Sequence, residues 1–276
     1  MSTFRPINPH HAVVEFVIFY EFTDLPSEIF EQFKDIARSS KVASFLPKDE
    51  PVEGYQLEIK PPGAPMQRVV RSIERKRYRA EGLEWLLRVF PDTISIHCLH
   101  YTRWQEVLTI CEDVLQPFFA PMDFRYLPIK QIGMRYVDRF IFDGDPTQYD
   151  PAGLFRRDSA HLASHCFKSG TRFHCHTGWF EEGPDPAVET LHQLNIDVAH
   201  IRTANASGIG HTINHAGIFR QTAAGGFENI VPDSENSPSG FAKNMEVLHK
   251  KNGKVLEELI TRDMARQIDL VEGSDE

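Results

Sequence analysis

The chain has 276 residues, of which 41% are hydrophobic and 25% are charged. These values are typical of a globular protein and allow either one large domain or two ordinary ones. The formal net charge of −9 disfavours nucleic acid as a partner, because phosphate binding normally requires a basic surface.

The first half of the chain predicts strands and helices in the order β-α-β-β-β-α-β. Residues 11–22 are rich in β-branched and aromatic side chains, which favour a buried strand. Apolar residues then recur at helical spacing from Ile29 to Ala37, after a proline at residue 26 that favours a helix start. The remaining predicted elements are a short strand at 55–59, a strand at 69–80, a hairpin at 84–99, a helix after Thr102 and a strand at 129–142.

The start and end of the second helix follow from single residues. Thr102 and Gln105 match a capping-box pattern, in which each side chain satisfies a backbone group at the helix start. Pro117 and Pro121 are expected to end the helix, because proline lacks the N–H group that a helix interior needs.

These elements indicate an α+β fold built from two sheet–helix halves. The element order of residues 1–142 suits an antiparallel sheet with both helices on one face, a ferredoxin-like arrangement with an extra strand. The turn cluster at 143–146 is the predicted boundary, and 147–276 is the second half. Its predicted elements are short helices within 151–167, strands at 171–180, 191–201 and 212–222, loops at 224–226 and 232–238, and a long amphipathic helix from about residue 241.

The N-terminal segment and the cysteines predict a location in the reducing cytoplasm. No apolar h-region follows Met1, and no uninterrupted apolar run approaches the length of a membrane span, so no membrane association is expected. The four cysteines have no Cys-x-x-Cys spacing, and we expect free thiols at Cys98, Cys111, Cys166 and Cys175.

A basic run occupies the strand predicted at 69–80. Its arginines alternate with other residues, which fits the solvated face of a strand better than a binding patch. The arginines are Arg71, Arg75, Arg77 and Arg79.

Five short motifs are spread along nearly the whole chain. They are a Val-Val-Glu-Phe-like strand at 9–16, Tyr-x-x-Trp before a helix at 101–104 and a Gly-x-Arg-Tyr strand at 133–138. A strand like Leu-Leu-Asp-x-Asp follows at 194–197, and a helix with Leu-His and Ile-Thr at 248–261. Together they resemble a sporadically distributed bacterial family of proteins of about this length, without an assigned activity. The scattered occurrence of that family resembles that of genes on mobile or defence loci.

The resemblance draws attention to polar positions on two strands. Asp138 stands where the family usually has asparagine, and Asn195 where it often has aspartate. If these positions bind a ligand, its charge preference would differ in this chain. The candidate binding residues are Arg135, Tyr136, Asp138 and Asp197.

Arg135 places a cation in the middle of an apolar strand. An unpaired buried charge costs several kcal/mol, so the guanidinium must reach water or a carboxylate. Glu15, Glu21 or Asp138 could supply that carboxylate. One interpretation is a structural ion pair, and the other is an arginine that recognises an anion in a cleft between the halves.

Histidines and cysteines cluster between residues 161 and 176. If 158–167 is helical and 171–180 is a strand, two histidines share a face in each element. Two such pairs facing each other could complete a tetrahedral zinc site, although none of the familiar zinc spacings is present. The four candidate ligands are His161, His165, His174 and His176.

The sequence favours a binding or regulatory component over a catalyst. Among familiar catalytic motifs, Gly-x-Ser-x-Gly, the P-loop and His-Glu-x-x-His do not occur. We expect another protein as ligand in a setting of bacterial conflict or defence, with the acidic balance favouring a basic partner. The alternatives are a metal-dependent hydrolase built on the His/Cys cluster and a small-molecule sensor.

Overall fold

The computed structural model describes residues 4–58, 66–80, 82–120, 127–184, 186–202, 207–222 and 240–270. The strands are β1 (Phe4–Pro6), β2 (Val13–Phe22), β3 (Lys48–Glu58), β4 (Met66–Arg79), β5 (Gly82–Val89), β6 (Thr93–Cys98), β7 (Ile129–Phe142), β8 (Phe173–Glu182), β9 (Val188–Arg202) and β10 (Ser207–Gln221). The helices are α1 (Ser27–Arg38), α2 (Ser40–Phe45), α3 (Trp104–Phe119), α4 (Gly240–Leu259) and α5 (Arg262–Gln267). The loops predicted at 224–226 and 232–238 lie outside the described residues.

The ten described strands form a large antiparallel sheet. Their order is β3-β4-β5-β6-β2-β7-β10-β9-β8, and β1 pairs with β7. The expected α+β class with an antiparallel sheet is therefore confirmed. A sheet of this size exceeds a simple ferredoxin-like half, so that finer arrangement stays a prediction. Across the described residues, no helix is long and apolar enough to cross a membrane.

Contacts divide the chain into two compact units. The α4 unit comprises Met1–Phe16, Gly133–Arg220 and Met245–Glu276, and the α1–α3 unit comprises Val17–Ile132 and Gln221–Asn244. The divisions fall within β2 and β7 rather than at the turn cluster 143–146. The sequence-based boundary stays a prediction.

The core of the α1–α3 unit forms where α1 meets α3. Phe33 of α1 is fully buried, and its ring lies 5.8 Å from that of Phe118 and 6.2 Å from that of Phe119. Burying aromatic side chains of this size is among the strongest contributions to a core.

The capping box at Thr102 and the stop at Pro117 are wrong, whereas α3 does end before Pro121. Its N-cap is Arg103 without a side-chain cap, and Thr102 donates instead to a carboxylate oxygen of Glu106 at 2.8 Å. The helix also continues through Pro117 to Phe119. The last turn of α3 buries Phe118 and Phe119. We attribute the continuation of the helix to this burial, because the free energy that it contributes exceeds the cost of the hydrogen bond that Pro117 removes.

The expectation of a solvated arginine face on β4 is confirmed at Arg71 and Arg79, which are exposed, and is wrong at Arg75. Arg75 is 5% exposed, and its Nε and Nη2 atoms donate to the carbonyl of Leu46 at 2.9 and 2.6 Å. Arg77 and Arg79 contact the buried carboxylate of Glu84, at 3.0 and 2.6 Å. Arg75 therefore satisfies a carbonyl at the end of α2, and Arg77 and Arg79 neutralise the buried charge of Glu84.

The core of the α4 unit lies between the sheet and helices α4 and α5. Alternate residues of β9 and β10 are buried together with apolar residues of the two helices. Strand periodicity of two and helix periodicity near four place these side chains on facing surfaces. Members of this core are Leu194, Ile196, Val198, Ile209, Ile213, Val255, Leu259, Ile260 and Met264.

The predicted short helices within 151–167 are 3-10 helices separated by turns, and none is an α-helix. Pro151–Gly153 and Ser164–Lys168 form 3-10 segments, and turns lie between them. The Asp150 carboxylate accepts from the backbone N–H of Ala152 at 2.9 Å, which starts the first segment. His161 and His165 therefore do not share the face of an α-helix.

Candidate functional site

Strand β8 lies at one end of the strand order. Among the described strands, its hydrogen-bonded neighbour is β9. From Phe173 to Phe180, odd-numbered side chains are half-buried and even-numbered side chains are exposed. A strand at a sheet edge presents backbone N–H and C=O groups with which another chain can pair. We call β8 with its exposed side chains the β8 edge.

The exposed side chains of the β8 edge combine charge with one large apolar group. His174 lies opposite Asp197 in the register, with 2.7 Å between Nδ1 and Oδ1, and both side chains are 59% exposed. Phe180 is 57% exposed, and the Arg220 guanidinium lies 5.8 Å from its ring centroid. An exposed aromatic residue of this kind is enriched at protein interfaces.

Behind the β8 edge, an indole ring is stacked between imidazoles. Trp179 lies 4.7 Å from His161, with an angle of 22° between their planes, and 4.8 Å from His192, with an angle of 12°. The His192 ring lies 5.3 Å from the His215 ring. We call these four residues the Trp179 stack. It joins a turn with β8, β9 and β10.

Hydrogen bonds fix the rings of the Trp179 stack. His192 Nδ1 and His215 Nε2 are 3.1 Å apart, so one ring donates to the other. His161 Nε2 lies 3.0 Å from the Glu258 carboxylate of α4. Trp179 donates its indole N–H to the Glu181 carboxylate at 3.1 Å.

Lys251 connects α4 to the end of β8. Its ammonium group donates to the Glu181 carboxylate at 2.6 Å and to the backbone carbonyl of Glu182 at 3.2 Å. Partial burial would raise the pKa of Glu181, but hydrogen bonds from Lys251 and Trp179 lower it to about 2. Glu181 is therefore ionised at neutral pH, and the end of β8 is attached to the helix by a charged pair.

The inner imidazoles of the stack are neutral at neutral pH. Desolvation lowers the pKa of His215 to about 3, and it also lowers the pKa of His192. Because a buried neutral imidazole pairs well with an aromatic face and a second imidazole, these two rings are suited to packing β9 against β10.

A buried imidazole outside the stack, that of His211, lies against Phe4 of the N-terminal strand. His211 is fully buried, its Nε2 lies 2.8 Å from the Tyr149 hydroxyl, and the two rings stack at 5.6 Å. Desolvation lowers the pKa of His211 to about 4 and raises that of Tyr149. The pair therefore packs as a neutral unit.

Of the predicted binding residues, Arg135 and Tyr136 lie on opposite faces of β7. Arg135 contacts the Glu15 carboxylate at 3.1 Å, and the two side chains are 34% and 28% exposed. This half-buried ion pair is one of the two interpretations that the sequence allows. Tyr136 is buried, its ring lies 4.9 Å from that of Phe16, and its hydroxyl lies 2.8 Å from His249 Nδ1.

Asp138 and Asp197 occupy contrasting environments. Asp138 is 4% exposed, and burial raises its pKa to about 7. Asp197 lies on the exposed face of β9, paired with His174. Since the two carboxylates lie on a buried and an exposed face, the structure does not gather the four predicted binding residues at one point.

The four histidines proposed as zinc ligands are not brought into one group. His161 lies in the Trp179 stack, His165 lies in a 3-10 segment, and His174 pairs with Asp197. His176 lies opposite Asn195 in the register. Across the described residues, no group of three or more His, Cys, Asp or Glu side chains could hold a metal ion.

The residues that organise this region were missed in the sequence. Trp179, Glu181, His192 and Lys251 are linked by the β8–β9 register and by the packing of α4, which single-sequence patterns do not reveal. The available signal was the alternation from Phe173 to Trp179, which marks one face of a strand. No family model, curated protein or solved structure matches the chain.

Proposed function

We propose that the chain is a non-catalytic protein-binding component that pairs the β8 edge with an extended basic segment of another protein. The observation that carries the proposal is the position of β8 at the end of the strand order with Phe180 exposed upon it. Strand addition of this kind obtains affinity from backbone hydrogen bonds and specificity from alternate side chains.

Rigid support of β8 favours this function. The Trp179 stack and the Glu181–Lys251 pair hold the strand from behind and at its end. An edge that is already ordered loses little conformational entropy when a segment binds, so more of the interaction energy appears as affinity.

Charge favours a basic occupant. Glu182 and Glu189 lie opposite each other at one end of the β8–β9 pair, and Asp197 lies near the other end. The whole chain carries a formal charge of −9. Complementary charge accelerates association and selects between partners.

The biological setting follows from the resemblance. A cytoplasmic role in bacterial conflict or defence, and a ferredoxin-like arrangement of the N-terminal half, belong to this proposal. A basic toxin or a nucleic-acid enzyme would carry the kind of segment that the charge favours.

A direct test uses two labelled peptides as long as β8, one alternating lysine with valine and the other glutamate with valine. Fluorescence anisotropy should show binding of the lysine peptide that weakens with salt, and no binding of the glutamate peptide. Equal affinity for both peptides, or no binding of the lysine peptide, would contradict the proposal.

The matched control for the exposed ring is Tyr78, which is 49% exposed on β4. Phe180→Ser should weaken binding of the lysine peptide roughly tenfold, as expected when an aromatic contact is removed from an interface. Tyr78→Ser should leave binding unchanged. Equal loss in the two variants would place the binding elsewhere.

A further inference from the structure

Two of the four cysteines are neighbours behind the β8 edge. Cys175 lies on the half-buried face of β8, and Cys166 lies in the 3-10 segment Ser164–Lys168, which contacts that strand. Both side chains belong to the core of the α4 unit, Cys166 within it and Cys175 at its margin. All four cysteines of the chain are free thiols.

The two thiols interact directly. The Cys166 side chain is hydrogen-bonded to that of Cys175. Its pKa is about 11, raised by burial first and then by the charge and the hydrogen bond of Cys175. Because the segment Ser164–Lys168 contacts β8 and both side chains belong to one core, we expect that a small adjustment of this short segment can bring the two sulfur atoms together.

Exposure distinguishes the two sulfurs. Cys166 is fully buried, whereas Cys175 is partly exposed. An oxidant in solution therefore meets Cys175 first, and Cys166 lies behind it as the second thiol. This is the order of a reactive cysteine and a resolving cysteine.

We propose that Cys166 and Cys175 form a redox-modification site, at which a peroxide or a small-molecule disulfide converts the two thiols into a reversible disulfide. With hydrogen peroxide, the Cys175 sulfur attacks one peroxide oxygen, the O–O bond breaks and a sulfenic acid and water form. The Cys166 sulfur then attacks the sulfenic sulfur, the S–S bond forms and the hydroxyl group leaves as a second water. The two thiols lose two electrons and two protons, and the peroxide is reduced. With glutathione disulfide, the Cys175 sulfur attacks one glutathione sulfur and releases one glutathione thiol, and the Cys166 sulfur then attacks Cys175 in the mixed disulfide and releases the second.

The other two cysteines supply a matched control within the same chain. Cys98 and Cys111 lie in β6 and α3, and both are fully buried. Burial raises the pKa of Cys98 to about 12, and the pKa of Cys111 is also raised, by burial first and then by Cys98. Neither thiol of this pair is reached by an oxidant in solution, whereas Cys175 of the other pair is partly exposed. The Cys166–Cys175 pair is therefore accessible from solvent at one thiol, whereas the Cys98–Cys111 pair is accessible at neither.

The experiment treats the folded, reduced full chain with hydrogen peroxide or glutathione disulfide, followed by non-reducing tryptic mapping. Cleavage after lysine and arginine places the four cysteines in separate peptides, with Cys166 in 158–168 and Cys175 in 173–202. The expected product joins these two peptides, is reversed by dithiothreitol and exceeds any Cys98–Cys111 product roughly tenfold or more.

Two variants test the order of the steps. Cys166→Ser should leave a sulfenic acid at Cys175 that dimedone labels, whereas Cys175→Ser should show no labelling at Cys166. The wild-type result does not depend on the folding of either variant. Absence of the 158–168 to 173–202 product in the folded chain, its formation only in denaturant, or equal yield of the Cys98–Cys111 product would overturn the proposal. This site does not depend on peptide binding at the β8 edge.

Discussion

The strands at the two ends of the strand order, β3 and β8, differ in the residues that oppose pairing with another chain. β3 carries Pro51, which cannot donate to a partner strand, and Glu50 of β3 contacts Lys48 and Lys76 in an ion-pair network. β8 has neither proline nor lysine along its ten residues, carries its two glutamates, Glu181 and Glu182, only at its end, and exposes Phe180. Proline and charge are the usual protection of an edge against association. This difference is the reason for proposing β8, and not β3, as the strand that pairs with another protein.

The supports of the two edges also differ in chemistry. Behind β8 lie neutral imidazoles and an indole, whereas the β3–β4–β5 surface carries alternating charges that include Lys76, Glu74 and Arg88. Acid therefore acts on the first support by charging a buried ring, and on the second by neutralising a carboxylate.

The largest expected effect is a loss of stability in acid at two buried imidazoles, His215 behind β8 and His211 beside Tyr149. The pKa values of His215 and His211, about 3 and about 4, lie below the unfolded value of 6.5, so the unfolded chain binds protons first as the pH falls. Stability is full above pH 6.5 and decreases below it. By pH 5 the free energy of unfolding should fall by about 2 kcal/mol for each residue.

Tryptophan signals can assign this loss to one edge. Trp179 lies in the stack behind β8, and Trp85 lies in β5 of the other unit. As the pH falls from 6.5 to 4, the indole NMR signal of Trp179 should change at a higher pH than that of Trp85, because opening of the region around the stack allows its imidazoles to bind protons. Hydrogen bonds from Lys48 and Lys76 lower the pKa of Glu50 to about 2, so the charge of that network persists in this range. Earlier change at Trp85 would contradict the comparison.

The second effect removes the protection of β3. Lys76→Met leaves the carboxylates of Glu50 and Glu74 without this partner, and Lys76 and Glu74 side chains are only 15% and 12% exposed. We expect the free energy of unfolding, measured with urea, to fall by about 2 kcal/mol. Lys48→Met is the control, since its side chain is 53% exposed and its pairs belong to the surface class. A larger loss for Lys48→Met would refute this assignment.

A smaller effect should follow from releasing the end of β8. Lys251→Met removes the contact with Glu181, in which the two side chains are 25% and 42% exposed. The free energy of unfolding, measured with urea, should fall by about 1 kcal/mol. The control is Lys254→Met on the same helix, where a 75% exposed side chain lies 3.9 Å from Glu258. That variant should change stability by less than about 0.5 kcal/mol. Indistinguishable variants would mean that the Glu181 contact supplies no net support.

The smallest effect on stability is expected at the exposed ring. Phe180→Ser should change the free energy of unfolding by no more than about 0.5 kcal/mol, because the ring is 57% exposed. Urea unfolding monitored by circular dichroism measures this change. A large loss would show that the ring belongs to the core and would remove the main apolar contact from the β8 edge.

Local periodicity predicted the elements well where one face of each is buried. The strand expected at 129–142 matches Ile129–Phe142, and the helix expected from about 241 begins at Gly240. Local rules failed where distant packing decides the outcome. Pro117 lies inside α3 because the following phenylalanines are buried, and Arg75 is buried because a helix end lies above it.

The candidate site was the part least accessible from sequence. The spacing of the four histidines from 161 to 176 predicts two pairs. Of these four residues, His161 joins the Trp179 stack, because it lies in a turn and not in the expected helix. His192 and His215 complete the stack from strands distant in the chain. Such contacts depend on strand register, which the spacing of residues within one segment does not encode.

The central claim is that the β8 edge, and not β3, accepts an extended basic segment. Residue-resolved hydrogen exchange with and without the lysine–valine peptide tests it most directly. The account predicts slower exchange of β8 amides and unchanged exchange of β3 amides when the peptide is bound. Protection of β3, or binding without protection of β8, would contradict it.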